Sequence, residues 1–168
     1  MNSPPRSARS SVSPVRLAVF IDVLAPGGGT ENQLLLLLSA FDRNRVEPTL
    51  FTLRNQAPLH HAGAPFRTVC LGVTRLASPR SLATMVRAAR LVSHQSDVVL
   101  TFFRDGNFFG TLAGRLAGVP VVSSRRNLGR GYWHDPAELW RLRRLNSLTS
   151  AFLANSEAVR QYTAESEH

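Results

Sequence analysis

The chain contains no lysine: all 20 of its basic residues are arginine. That absence excludes a Walker A phosphate loop, which needs a Gly-Lys-Ser/Thr ending. A single cysteine, Cys70, excludes an internal disulfide framework and fits a reducing compartment. It lies in the apolar run 66–71, so a buried, unreactive thiol is expected. Long apolar stretches are also missing. The longest purely aliphatic run, Leu34 to Leu38, is far short of the roughly 20 residues a membrane-crossing helix needs. Residues 1–14 are rich in Ser, Pro and Arg, without an acid or an apolar segment. They read as a disordered tail rather than a secretory signal. Aromatics make up only 8%, and no nucleic-acid recognition motif is present. No nucleic-acid partner is therefore expected, although the net charge of +9 favours anionic lipid or phosphorylated ligands. His60 and His61 have no acidic or cysteine partner at metal-ligand spacing, and no metal is expected.

What is present is enough apolar material, 43% of 168 residues, for one domain over residues 15–168. Strand-like and helix-like segments alternate. Strands are expected at 15–24, 46–53, 66–71, 97–103, 119–124 and 150–154. Pro48 marks an irregular or edge-like start to the second. Thr30 with Gln33 reads as a capping box for a helix carrying Leu34, Leu35, Leu37, Leu38 and Phe41 inward. Ser78-Pro79 opens a helix with Leu82, Met85, Val86, Ala89 and Val92 on one stripe. A helix over 105–118 is expected to bury Phe108, Phe109, Leu112, Ala113 and Leu116 and to stop at Gly118. Asp135-Pro136 starts another, and Asn155 or Ser156 caps the last. Six strands alternating with helices imply an α/β fold: a doubly wound, Rossmann-like parallel sheet with helices on both faces. Ligands bind such sheets at the carboxyl ends of the strands, which points to 25–30, 102–107, 123–132 and 155–157.

The first of these segments is the glycine turn Gly27-Gly28-Gly29, between an apolar strand and a helix start. Such a turn serves either as a tight bend or as an anion site at a helix N-terminus. A dinucleotide fingerprint needs spaced glycines and an acid closing the second strand. Here the glycines are consecutive and the second strand runs into Arg54. A nicotinamide enzyme is disfavoured, and a sugar-transfer domain, which needs only a short glycine turn, remains.

Pro26-Gly27-Gly28-Gly29-Thr30-Glu31 resembles the Gly-Gly-x-Glu opening of family 4 glycosyltransferases. Asp97 to Phe102 with Asn107 and Gly110, Leu116-Ala117-Gly118-Val119-Pro120-Val121-Val122, and Ala154-Asn155-Ser156-Glu157-Ala158-Val159-Arg160 are similar to later family segments, in the same order. The resemblance implies the acceptor-side half of a two-domain GT-B enzyme that transfers sugar with retention and without a metal or other cofactor. It places the donor diphosphate against Gly27, Gly28, Gly29 and Thr30. Many relatives carry histidines where this chain has Leu100 and Phe102, so no histidine role carries over. The chain stops about where a linker to the donor domain would begin. The expectation is a truncated enzyme, inactive alone, that in full-length form moves sugar from a nucleotide-sugar donor to a glycan or lipid-linked acceptor in bacterial envelope or polysaccharide synthesis. The alternative is an inactive remnant or binding module of the same fold.

Candidate acceptor contacts on the rim are Phe102, Arg104, Asp105, Asn107, Arg125, Arg126, Asn127 and Tyr132. Asp105 is equally readable as a helix cap and the arginines as solvated loop residues. Asn155, Ser156 and Glu157 mark the cleft edge or serve as caps. Residues 125–144 hold six arginines and two acids with Tyr132, Trp133 and Trp140 interleaved. They suit a phosphorylated acceptor or peripheral contact with a membrane from the cytoplasmic side.

Overall fold

The computed structural model describes residues 13–25, 27–54, 65–128 and 135–167. Pro26, His60, His61, Tyr132, Trp133 and nearly all of the N-terminal tail lie outside the described residues, with the expectations placed on them. In chain order the elements are β1 (Val15–Ile21), α1 (Gly29–Ala40), β2 (Val46–Thr52), β3 (Arg67–Cys70), α2 (Pro79–Gln95) and β4 (Val98–Thr101). They continue with α3 (Arg104–Ala117), β5 (Val121–Arg125), α4 (Pro136–Asn146), β6 (Ala151–Ala154) and α5 (Glu157–Ser166). Every pairing is parallel, and the strand order is β3-β2-β1-β4-β5-β6. The expected Rossmann-like sheet is present. Its order reverses between β1 and β4, and this is where doubly wound sheets open a crevice.

Alternation along β1 divides the core in two. Ala18 and Phe20 face α2 and α3, packing with Met85, Val92, Phe109 and Val121. Leu17, Val19 and Ile21 face α1, packing with Leu34, Leu38 and Leu50. This two-sided burial explains why β1 is apolar without a polar alternation. Phe20 is the keystone of the first cluster, stacked 4.8 Å from Phe51 and tilted against Phe109 at 6.3 Å.

Helix α3 lies unusually close to the sheet because Gly106, Gly110 and Gly114 form one stripe at i, i+4, i+8 spacing. A Cβ on Gly110 would come within 2.6 Å of Thr101 Cγ2 and 2.8 Å of Phe20 Cβ. One on Gly114 would come within 2.5 Å of Val121 Cγ2. These glycines are where the backbone of α3 touches β1, β4 and β5.

Local signals read from sequence are partly upheld. Ser78 caps α2 through Ser81 N–H, Asp135 caps α4 through Ala137 N–H, and Ser156, not Asn155, caps α5 through Val159 N–H. Gly118 ends α3 in the left-handed conformation at φ +71°. The Thr30–Gln33 capping box is not formed. Helix α1 starts two residues earlier, Gly28 takes the cap position with no side-chain bond, and Gln33 reaches Arg126 instead. Cys70 is exposed rather than buried, because β3 is a four-residue edge strand with little packed over it. Leu37, Leu82, Val86, Phe108 and Leu116 were expected inside, yet all are exposed. Their helices bury narrower stripes, and in α2 and α3 small residues (Ala88, Ala89, Gly110, Ala113, Gly114) supply much of the close contact. Pro48 does not lie on an edge strand, since β2 sits between β1 and β3. Pairing with β3 begins only at Thr49, so Pro48 removes no ladder bond on that side.

Candidate functional site

A cleft of about 290 Å³ opens at the carboxyl ends of β1, β4 and β5, at the point where strand order reverses. It is lined by Asp22, Val23, Phe103, Arg104, Asn107, Ser124, Arg125, Arg126 and Asn127. Five of the residues singled out from sequence, Arg104, Asn107, Arg125, Arg126 and Asn127, therefore meet in one place. Phe102 does not join them. It is buried in the α1-side core, and its neighbour Phe103 lines the cleft instead.

The floor is built around Asp22, which follows directly on β1. Its carboxylate accepts hydrogen bonds from the backbone N–H groups of Asp105 (3.3 Å) and Gly106. It thereby caps α3 from 83 and 84 residues away. Asp105 is not the cap; it contributes its N–H to Asp22 and pairs its own carboxylate with Arg54. Phe103 makes this geometry available by adopting φ +60°, the one positive φ at a non-glycine among the described residues. Such strain is seldom retained away from a site that uses it. Gly106 suits this approach as well, since a Cβ there would stand a tight 3.0 Å from Asp22 Oδ1 and 3.1 Å from Ile21 Cα. Burial raises the Asp22 pKa to about 6, against the lowering effect of the Gly106 N–H. Sequence reasoning missed this residue. The available signal was an acid closing an apolar strand of a parallel sheet.

A second polar system runs inward from the cleft wall. The side-chain oxygen of Asn107 accepts from Thr101 Oγ1 (2.7 Å) and Ser123 Oγ (3.0 Å), which fixes the amide orientation. Arg125 is buried and donates to Ser123, to Asn146 Oδ1 (2.8 Å) and to Glu167 Oε2 (2.6 Å), with its guanidinium over Phe152. Arg125 thus lines the cleft but is held by a neutralising carboxylate in the interior. Arg104 is paired with Glu138. Arg126 turns to the other side of the sheet, to the Gln33 amide and the ring of Phe102. The cleft edge is partly structural. Asn155 donates to the Arg126 carbonyl (3.2 Å), while Glu157 is exposed and paired with Arg160, which lowers its pKa.

The glycine turn is divided in use. Gly27 (φ +81°) and Gly29 leave open space where a side chain would stand. Gly28 is filled from within: a Cβ there would overlap the carboxylate of Glu31, which is itself buried. Thr30 lies in the first turn of α1, half-buried. Among the described residues there is no group of three or more His, Cys, Asp or Glu placed to hold a metal ion. No helix is long and apolar enough to cross a membrane.

The fold is shared with solved structures. Anabaena Alr3699/HepE in complex with UDP and glucose superposes with a TM-score of 0.69 at 16% identity, over 90% of this chain and 41% of that one. The same protein with UDP-glucose gives 0.65 at 16% identity, over 90% and 40%. A Listeria monocytogenes structure named for UDP-N-acetylglucosamine 2-epimerase gives 0.63 at 10%, over 91% and 42%. The chain spans about two fifths of the length of these neighbours. No curated protein matches it in sequence. The family model that matches, Glycosyltransferase Family 4, covers residues 27–167, from the glycine turn to the buried Glu167. With its Rossmann-like sheet and its cleft at the switch point, the chain belongs to glycosyltransferase family 4.

Proposed function

We propose that this chain is the acceptor-side domain of a retaining glycosyltransferase, which moves a sugar from a nucleotide-sugar donor to a glycan or lipid-linked acceptor in bacterial envelope or polysaccharide synthesis. The observation that carries this reading is the cleft at the β1/β4 switch point. It brings an acid, three arginines and two asparagines to the rim where a family 4 chain meets its substrates. The HepE structures hold UDP and UDP-glucose, which supports a nucleotide-sugar donor here.

In this reading the open backbone at Gly27 and Gly29 faces the donor diphosphate, where N–H groups at a helix start suit an anion. Negative charge on the departing diphosphate is stabilised electrostatically while the acceptor hydroxyl attacks on the same face. Asp22 orients that hydroxyl. Its two backbone partners fix the carboxylate, and the remaining lone pairs face the cleft as hydrogen-bond acceptors. In this reading the transfer uses no metal or other cofactor. Contact with a cytoplasmic membrane surface is part of the proposal: Trp140 is exposed on α4, with Arg144 over its ring at 5.3 Å.

The test is amide chemical-shift mapping of the ¹⁵N-labelled chain with UDP-glucose and UDP-N-acetylglucosamine. Shifts at Gly27, Gly29 and the residues of the cleft are expected. In this reading the donor-side domain carries most of the nucleotide-sugar site, so the shifts are expected to be weak; shifts confined to surfaces away from the glycine turn and the cleft would overturn the reading.

A further inference from the structure

Among the described residues, four buried side-chain atoms have no hydrogen-bond partner: Arg43 Nη1, Thr111 Oγ1, Ser124 Oγ and Arg126 Nε. Two of the four belong to Ser124 and Arg126, two positions apart in the chain, and both of those residues line the cleft. Natural interiors leave few polar atoms unsatisfied, because each costs about 1–3 kcal/mol. Two together at one wall mark hydrogen-bonding capacity held for something the protein itself does not supply. Both groups can donate. Asn107 adds a third donor, since its oxygen is taken by Thr101 and Ser123, leaving the amide NH₂ as the unspent end.

Charge points the same way. Of the three arginines lining the cleft, Arg104 and Arg125 each meet a carboxylate. Arg126 does not among the described residues; it meets an amide oxygen and an aromatic ring. Elsewhere on the rim two anion positions are filled from within the chain, while Gly27 and Gly29 stay open for the donor diphosphate. The N-terminus of α3 holds the Asp22 carboxylate, and the middle of the glycine turn holds that of Glu31. Among the described residues lining the cleft, the one arginine without a carboxylate partner therefore stands beside the unsatisfied donors, at the end of β5.

We infer that the acceptor is a sugar or polyol bearing an anionic substituent, a phosphate or a carboxylate, which docks on Ser124, Arg126 and Asn107 while Asp22 receives one of its hydroxyls. This assignment rests on the glycosyltransferase reading and names the class of acceptor within it. The hydroxyl oxygens of a neutral glycan could accept from both donors but would leave the Arg126 charge without a counter-charge. An anion supplies several acceptor lone pairs and the missing charge at once.

The experiment titrates the full chain with glucose, glucose 6-phosphate and glucuronate, followed by calorimetry and amide shifts, with UDP as a separate arm. One or both anionic sugars are expected to bind about tenfold or more tighter than glucose, an advantage that fades with added salt. The two anionic arms separate phosphate from carboxylate. Arg126→Gln and Ser124→Ala should each erase most of the advantage, and Arg126→Lys should restore part of it. Arg87→Gln, which removes an equal charge from an exposed position on α2, should leave it intact. Retained amide dispersion shows that each variant is folded. Equal binding of glucose and the anionic sugars, no binding of either, or an advantage that survives Arg126→Gln would each overturn the inference. If UDP still shifts Gly27 and Gly29 in those cases, the glycosyltransferase reading stands while this one falls. Competition between UDP and the anionic sugar for Ser124 and Arg126 would assign these donors to the nucleotide and also overturn it.

Discussion

Arg125 and Arg126 are neighbours in the chain and identical in chemistry, yet they serve two different regions of the molecule. Arg125 closes β5 on the side of α4 and α5, buried and tied to Ser123, Asn146 and Glu167. Arg126 points to the α1 side, toward Gln33 and Phe102, and keeps a buried nitrogen without a partner. Strand geometry causes the split, since successive side chains leave a sheet on opposite faces. The lesson is that a pair of arginines at a binding rim need not act as a pair. One has its charge neutralised inside the fold, and the other has its charge to offer.

The largest test of this contrast is Glu167→Ala. It strands a charge that is almost wholly desolvated, so chemical denaturation should show a loss of about 3–5 kcal/mol. A loss below about 1 kcal/mol would mean that Arg125 is no more structural than a surface arginine. Next comes Gly110→Ala, where the added methyl meets Thr101 and Phe20 and forces α3, which carries Asn107, off the sheet. A cost of about 1–3 kcal/mol is expected in the same measurement.

Asp22 sharpens the comparison from the acid side. Its folded pKa of about 6 lies above the usual aspartate value of 3.8, so the folded state binds its proton more tightly than the unfolded state. The sign follows: stability is greatest where the group is protonated, below its ordinary pKa. It declines as pH rises from about 4 to about 6, and the deficit persists at neutral pH. Asp22→Asn should flatten that slope and raise the melting temperature at pH 7 by about 2 °C or more. An unchanged slope would place the carboxylate in water rather than in the cleft floor. The smallest effect belongs to Arg126→Gln, expected to change unfolding stability by less than about 0.5 kcal/mol. A loss near that of Glu167→Ala would erase the distinction between the two arginines.

The parts of the fold that were legible are those whose signal is local. The continuous apolar β1, the caps at Ser78, Asp135 and Ser156, and the left-handed stop at Gly118 each involve atoms within about one helical turn. The site was legible in outline, because carboxyl ends of strands can be counted along the chain. Asp22 escaped, since its role as a cap depends on a helix starting some 80 residues later. The Thr30–Gln33 box was misread for a related reason. Gly28 already ends the turn, and the Gln33 amide finds Arg126 across the fold. Side-chain exposure was also misjudged along α2 and α3, where periodicity shows which face is apolar but not how narrow the contact with the sheet will be.

The sequence by itself determined the element order, the parallel sheet and the family, because hydrophobic period, turn chemistry and short motifs act over a few residues. Only the tertiary structure decided which arginine is neutralised, which acid caps α3, and where donors remain unspent. Charges and buried hydrogen bonds are settled by partners brought together from distant strands and helices, and no local pattern records who those partners will be.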